Sequence, residues 1–272
     1  MNRFFKGFGK GVSDYGPALS FIFKHNLGWF FLVPIVFNIS LFIGGFAAIS
    51  SLTDYIQAVV LKSTSLENAN FFGAAFISGL LSFGIYIVLK IVFFFLFAYT
   101  GGYIVLILMS PFLAYLSEKT EKILTGKDYP FDIQQLMRDI VRGVLIALRN
   151  ALIETLIIFL FFIVGIIPVI GFFTNLISPF VLLLIAAYFY GFSFVDYVNE
   201  RQRYNIKQSV AFTRQNKGLI TGNGFFFALI LLIPYIGLLI SGFIAIVAVV
   251  AAVISVKEIK DSQQISIENG IH

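Results

Sequence analysis

The sequence predicts an all-α integral membrane protein with two long transmembrane helices and two proline-broken helical hairpins inserted from the cytoplasmic side. Three observations lead there. No charged residue lies between Glu154 and Asp196, a run well beyond the roughly 18 apolar residues that mark a membrane span. That run is broken by Ile167-Pro168-Val169-Ile170-Gly171, and the pattern returns as Ile233-Pro234-Tyr235-Ile236-Gly237. Finally, apolar residues make up 59% of the chain and charged residues 12%, against roughly 25% charged in a soluble domain.

The two breaks have the same local logic. Proline lacks a backbone donor and disfavours helix at the residue before it, while glycine tolerates backbone angles that other residues avoid. Each break therefore reads as helix, tight turn, helix. The two prolines are 66 residues apart; Arg149 precedes Pro168 by 19 residues and Arg214 precedes Pro234 by 20. Two units with a basic approach and a broken hairpin suggest a weak internal repeat, of the kind that marks binding sites in transporters. Turns that merely link helices would show the same letters.

Composition narrows the function classes. Mean hydropathy is +0.94, and 34 phenylalanines serve packing and lipid contact. The absence of cysteine removes disulfides and thiolate metal sites. With His25 and His272 alone, a histidine-rich metal site is not expected, and no cofactor is implied. The net charge of +5 suits basic loops beside an anionic leaflet. Nucleic-acid binding would need a basic soluble domain, which is missing. No P-loop is present, so ATP-driven transport by this chain alone is not expected.

Taken in order, residues 1–25 carry Arg3, Lys6, Lys10 and Lys24, with Phe4, Phe5, Phe8, Val12 and Tyr15 at helical spacing. A short helix on the membrane surface fits, although Gly7, Gly9, Gly11 and Gly16 weaken it. A secretory signal peptide does not fit, because the long apolar run starts too late. The first span begins near Leu27 with Trp29 at its start, and residues 26–53 hold no charge. Residues 54–70 form a polar connection, placed outside because it carries a single lysine. Residues 68–117 contain one charge, Lys90. A straight helix of that length would reach roughly 75 Å, far more than a bilayer of about 30 Å. The six Lys/Arg of residues 118–149 decide for one long helix, kinked near Gly101 and projecting past Pro111 into the cytoplasm, over two spans. Leu124-Thr125-Gly126 ends it, and Asp128-Tyr129-Pro130 turns the chain.

A helix from about Asp132 carries Arg138, Asp139, Arg142 and Arg149, whose arginines share one face. A solvated stripe and a basic lining at a pore mouth both fit. The first hairpin's rising arm, from Leu152 to Ile167, would reach about 24 Å. The second, from Gly224 to Ile233, would reach about 15 Å unless its helix starts earlier. These lengths suit hairpins that enter from the cytoplasm and need not emerge; full crossings would give the same sidedness. The organisation is one membrane domain over 1–261: an interfacial segment 1–25, a first span 27–53, a second long helix 71–123, and hairpin units 132–196 and 199–257. A flexible tail, 262–272, follows.

Ser110-Pro111-Phe112, Glu118 and Glu121 before Leu124-Thr125-Gly126, Arg138-Asp139 with Arg142, Ile167-Pro168 with Gly171, Asp196-Tyr197, Arg214 with Lys217, and Ile233-Pro234 form an ordered set. In order and spacing it resembles the CysZ sulfate permease family, within the etoposide-induced-protein superfamily, over roughly residues 27–257. The resemblance implies two long transmembrane helices, two hairpins partly inserted from the cytoplasm, homo-oligomeric assembly, and passive sulfate entry feeding cysteine synthesis. One position departs. The family's sulfate site is similar to a Gly-apolar-Arg-Arg stretch before the first span; anchored on Pro34, the two arginine positions here are Gly28 and Trp29. Neither offers a guanidinium to an anion, and the nearby groups that could supply charge are Lys24 and His25.

Three functions compete: an anion permease or channel in a bacterial-type inner membrane, a non-transporting scaffold of the same fold, and a membrane enzyme. The last lacks an acid–base or nucleophile constellation. Candidate substrate-binding residues are Lys24, Lys90, Arg138, Arg142, Arg149 and Arg214. Candidate structural or ion-pairing residues are Glu154, Asp139, Pro168, Gly171, Pro234 and Gly237. Glu154 lies five residues past Arg149, so it can snorkel to water. Lys90 is deeper, and an isolated charge there costs at least about 2.5 kcal/mol on insertion scales. It can pair with Glu154, reach a carbonyl at a broken helix, or line an anion path.

Overall fold

A computed structural model describes residues 2–63, 74–126, 133–233 and 236–268. Among these residues every regular element is helical: α1 (Asn2–Ser13), α2 (Tyr15–Lys24), a 3-10 turn (Gly28–Phe31), α3 (Leu32–Ser63), α4 (Ala74–Thr125), α5 (Ile133–Ile166), α6 (Ile170–Arg201), α7 (Ile206–Gln215), α8 (Lys217–Leu231) and α9 (Ile236–Glu268). Among the described residues four stretches are long and apolar enough to cross a membrane: Gly101–Thr125, Ile133–Ile166, Ile170–Arg201 and Ile236–Ser262.

The ends of these helices follow from local chemistry. Asn26 closes α2 in the left-handed region, with φ 56°, and the Leu27 amide returns to the Ile22 carbonyl at 2.9 Å. Arg203 does the same for α6, with φ 57° and the Tyr204 amide on the Asn199 carbonyl at 3.1 Å. Both are Schellman-type ends. Gly126, at φ 70°, closes α4, as its Leu-Thr-Gly sequence predicts. Asn205 opens α7 through a reciprocal capping box with Gln208.

Several elements run further than their sequence suggests. Helix α3 continues past Asp54 to Ser63, because Ile56, Val59, Val60 and Leu61 keep supplying apolar residues after the charge. Helix α4, read as one long helix, is continuous through Tyr99-Thr100-Gly101-Gly102 and Pro111 to Thr125. Helix α8 begins at Lys217, ahead of the short apolar arm that starts at Gly224, but its 15 residues still make only about 22 Å. Helix α9 extends to Glu268, into the segment expected as a tail.

The chain divides into two compact units, one made of Met1–Pro34 and Gly102–His272, the other of Ile35–Gly101. The smaller unit consists of parts of α3 and α4 and presents Ile39, Ile43, Val59, Phe76, Leu80 and Phe83 outward, a surface suited to lipid. In the larger unit α8 packs against α1, α6 and α9, while α5 lies on α6 and α2 on α9.

Glycine makes the α8 contacts possible. Gly218 and Gly222 of α8 face Gly7 and Gly11 of α1. A Cβ on Gly222 would overlap the Phe8 carbonyl, and one on Gly11 the Leu219 carbonyl. On another side of α8, Gly224 meets Gly191 of α6, and each Cβ would strike the other helix's backbone. This is the small-xxx-small packing of membrane helices, in which backbones approach until dispersion and Cα–H contacts hold them. The α1 glycines that count against a helix by propensity are therefore the residues that seat it. Above them, Tyr15 donates to the Asn223 carbonyl, and the Asn223 amide donates to Ala248 of α9 at 3.0 Å. Ala245 to Val253 of α9, small and β-branched, are buried throughout.

The first break is a strained turn. Val169 sits at φ 68°, ψ −58°, with the Ile170 amide on the Pro168 carbonyl at 2.8 Å, a γ-turn of the rare positive-φ kind. Val169, not Gly171, takes the unusual angle. Gly171 is helical and small for another reason: a Cβ would overlap the Gly165 carbonyl. Its amide bonds the Ile167 carbonyl at 2.7 Å, and the Gly237 amide bonds Ile233 at 2.8 Å in the same pattern. A Cβ on Gly237 would likewise overlap the Ile230 carbonyl. Pro234 lies outside the described residues.

These contacts predict opposite outcomes for two glycines. Gly222→Leu should destabilise the protein by about 3 kcal/mol, because backbone cannot move aside as a side chain can. Gly9→Ala, with nothing within 4 Å, should be neutral or stabilising by up to about 1 kcal/mol through helix propensity. Thermal melting of the two variants in detergent checks this.

Candidate functional site

Basic residues gather where α5, the end of α6 and the start of α7 meet. Arg142 is at the centre. Its Nε and Nη2 donate to Asp196 Oδ2 and Oδ1, each at 3.0 Å, a bidentate guanidinium–carboxylate pair. Nη1 donates to the Tyr204 carbonyl, and Glu200 lies 3.9 Å away. Asp196 also accepts from Ser209 Oγ, which in turn accepts from the Asn199 side chain at 2.9 Å. With side-chain exposures of 15% and 4%, Arg142 and Asp196 form a buried tie linking three helices. Tyr197 packs beside Gly143, 3.4 Å from where a Cβ would stand, an ordinary contact distance.

The arginines predicted to share a face do so, yet they take different environments. Arg138 is exposed and donates to Gln135 at 3.1 Å. Arg149 donates to Asn150 at 3.1 Å and lies over the Phe192 ring at 5.7 Å. Asn150, fully buried, donates to the Phe189 carbonyl and Ser193 Oγ, both at 3.2 Å. Arg214 is exposed on α7, and Lys24 is exposed at the end of α2. The second basic block forms its own helix, α7, separated from α8 at Asn216, whereas α5 runs unbroken from Arg138 through Ile166. The two repeat units thus share the glycine amide bond at Gly171 and Gly237 and differ at their basic approaches.

Glu154 is 6% exposed and does not snorkel. Tyr103 of α4 donates its hydroxyl to Glu154 Oε2. The Tyr103 ring sits 4.9 Å from Tyr190, and Tyr190 lies 4.8 Å from Phe227. The acid is thereby held by a phenol inside an aromatic cluster. Gly102 admits that cluster, since a Cβ would press on Tyr190 and Leu231. The side chains of Lys90 and Asp139 lie outside what the structure describes.

Sequence reasoning missed three contacts here. Asp196 was visible as the acid ending a charge-free run, but nothing local names Arg142 as its partner. Tyr103 is one aromatic among many. Arg201 of α6 donates to the Ala114 carbonyl of α4, a tertiary contact without sequence signature. Among the described residues no group of three or more His, Cys, Asp or Glu side chains could hold a metal ion.

The tie at Arg142 is directly testable. Removing one partner of a buried, hydrogen-bonded ion pair costs about 3–5 kcal/mol. Asp196→Asn and Arg142→Gln should each lower the melting temperature markedly. The double variant should cost much less than the two losses added, as measured in a double-mutant cycle.

The sequence profile of the family described as Sulfate transporter CysZ/Etoposide-induced protein 2.4 matches residues 15–241, from α2 to the first turns of α9. Comparison with curated proteins gives no match. The matched region contains the Arg142–Asp196 tie, the Tyr103–Glu154 contact and both proline breaks, and it covers well over half of the chain. With four membrane-length apolar stretches among its described residues, the chain is a multi-pass membrane protein belonging to the Sulfate transporter CysZ/Etoposide-induced protein 2.4 family.

Proposed function

We propose that the protein is a passive permease or channel for sulfate or a related small anion, working without ATP hydrolysis or enzymatic chemistry. The observation that carries this reading is the family match over residues 15–241. Cations at the α5–α7 junction support it, since a cluster of arginines raises local anion concentration at a pore mouth. Two proline-broken apolar runs support a site near the membrane midplane. In this reading the protein works as a homo-oligomer in a bacterial-type cytoplasmic membrane. Both termini and the basic blocks 118–149 and 196–217 face the cytoplasm, the α5–α6 and α8–α9 hairpins insert from that side, and their turns pack inside the assembly. Lys90 either lines the anion path or takes a structural partner.

A scaffold without transport is the second reading, and Gly28-Trp29 favours it. These residues occupy the 3-10 turn before α3, where the resemblance places an arginine pair. The turn itself would accept longer side chains: a Cβ on Gly28 would lie 3.8 Å from Phe23, and Trp29 is exposed.

Reconstitution in liposomes separates the two. As a permease, the assembled protein passes labelled sulfate, or another oxyanion in a panel, without ATP, and Gly28→Arg with Trp29→Arg raises sulfate flux. Correctly assembled protein that passes no anion, with or without the arginine pair, supports the scaffold. The orientation has its own test, made clean by the absence of cysteine. A cysteine at Thr125, exposed near the end of α4, should label from the cytoplasmic side alone; labelling from the opposite side in intact cells contradicts the topology.

A further inference from the structure

A groove of about 880 Å³ opens on the outer side of the α5–α7 junction. Its floor is apolar: Met137, Val141 and Leu145 line it from α5 and Ile206 from α7. The three α5 residues are spaced by four, so they form one stripe, and all are more than half exposed. Two exposed cations, Arg138 and Lys207, stand on its rims. Arg142 and Glu200 also reach the groove, but Arg142 is engaged by Asp196 and lies near Glu200.

The stripe does not stop at the groove. It continues along α5 through Leu148, Leu152 and Leu156, all exposed, into the charge-free part of a membrane-length helix. A small soluble anion would be served by an enclosed set of donors, and an open apolar floor adds nothing for it. A molecule with a negative head and a long apolar tail uses both parts: phosphate against Arg138 and Lys207, an acyl chain along Met137, Val141 and Leu145. Cationic side chains at a bilayer surface attract anionic headgroups.

We propose that this groove is a binding site for an anionic phospholipid, seated with its headgroup between α5 and α7 and its tail on the α5 stripe. The lipid site does not depend on the transport reading. Occupied, it braces the α5–α7 junction from outside, beside the Arg142–Asp196 tie.

Native mass spectrometry of the purified full-length chain in detergent tests it, with phosphatidylglycerol and phosphatidylcholine of matched acyl chains as probes. Phosphatidylglycerol should be retained in preference. Arg138→Gln with Lys207→Gln should lower its retention by about fivefold for each cation removed and leave phosphatidylcholine unchanged. Arg214→Gln, a cation outside the groove, should have no effect. Glycerol phosphate and inorganic sulfate should fail to displace the lipid, because they lack a tail. Equal retention of the two lipids, or full retention in the double variant, would overturn the proposal. So would displacement by sulfate or glycerol phosphate, which would make the groove a headgroup-sized anion site, or a changed subunit number in the double variant with lipid retention intact, which would make it a subunit interface. If the double variant does not fold, Lys207→Gln alone, in the exposed first turn of α7, carries the same outcomes at fivefold.

Discussion

The larger unit depends on backbone-to-backbone contact along α8. In lipid, apolar side chains gain nothing by leaving one hydrocarbon environment for another, so helices hold together by close packing and hydrogen bonds. Helix α8 is too short to cross a bilayer of about 30 Å by itself, yet it touches α1, α6 and α9. It manages this by having glycine on two of its faces. Gly218 and Gly222 admit α1, and Gly224 admits α6. A methyl group at any of these positions meets backbone, so the arrangement has little tolerance.

Polar ties complete what the glycines begin, and they sit at chosen places. Lys10 bridges Asp14 and Glu258 at 2.5 and 2.6 Å, and Ser255 donates to Asp14, so the α1–α2 junction is fastened to α9. The Arg142–Asp196 pair fastens α5, α6 and α7, and Tyr103 fastens α4 to α5 through Glu154. Each unites elements distant in sequence; Asp14, the Arg142–Asp196 pair and the Tyr103–Glu154 contact are largely buried, where an orphaned partner would be expensive, whereas Lys10 and Glu258 are part-exposed. The basic character of the α5–α7 region therefore serves two ends. Arg142 is committed to structure, whereas Arg138, which also donates to Gln135, and Lys207 are exposed at the surface.

Much of this was legible in the sequence, for physical reasons that also explain the failures. Proline and glycine act locally, so the turns at residues 167–169 and 232–233 and the end of α4 at Gly126 could be read from a few letters. Long apolar runs could become nothing but membrane helices. The reading went astray where a residue's role is tertiary. Gly101-Gly102 reads as a kink, but Gly102 is small so that Tyr190 and Leu231 can pack on α4. Gly7 and Gly11 look like poor helix formers, but they belong to a helix whose partner supplies the missing stability. Gly171 looks like the turn's flexible residue, while Val169 takes the angle. Glu154 looks like a snorkelling acid, while it faces a phenol from α4. Apart from the Gly171 turn, the deciding neighbour lies far away in sequence.

The central claim is that the N-terminal helices are built into the helix bundle through α8 and α9. The contact between Lys10 Nζ and Glu258 Oε2, at 2.6 Å with both side chains partly exposed, gives the most direct test. A zero-length carbodiimide cross-link followed by peptide mass spectrometry should join Lys10 to Glu258 within one chain, in detergent and in liposomes alike. Absence of that link, with Lys10 freely acylated and Glu258 modified only by solvent, would show that α1 is not docked and would contradict the account.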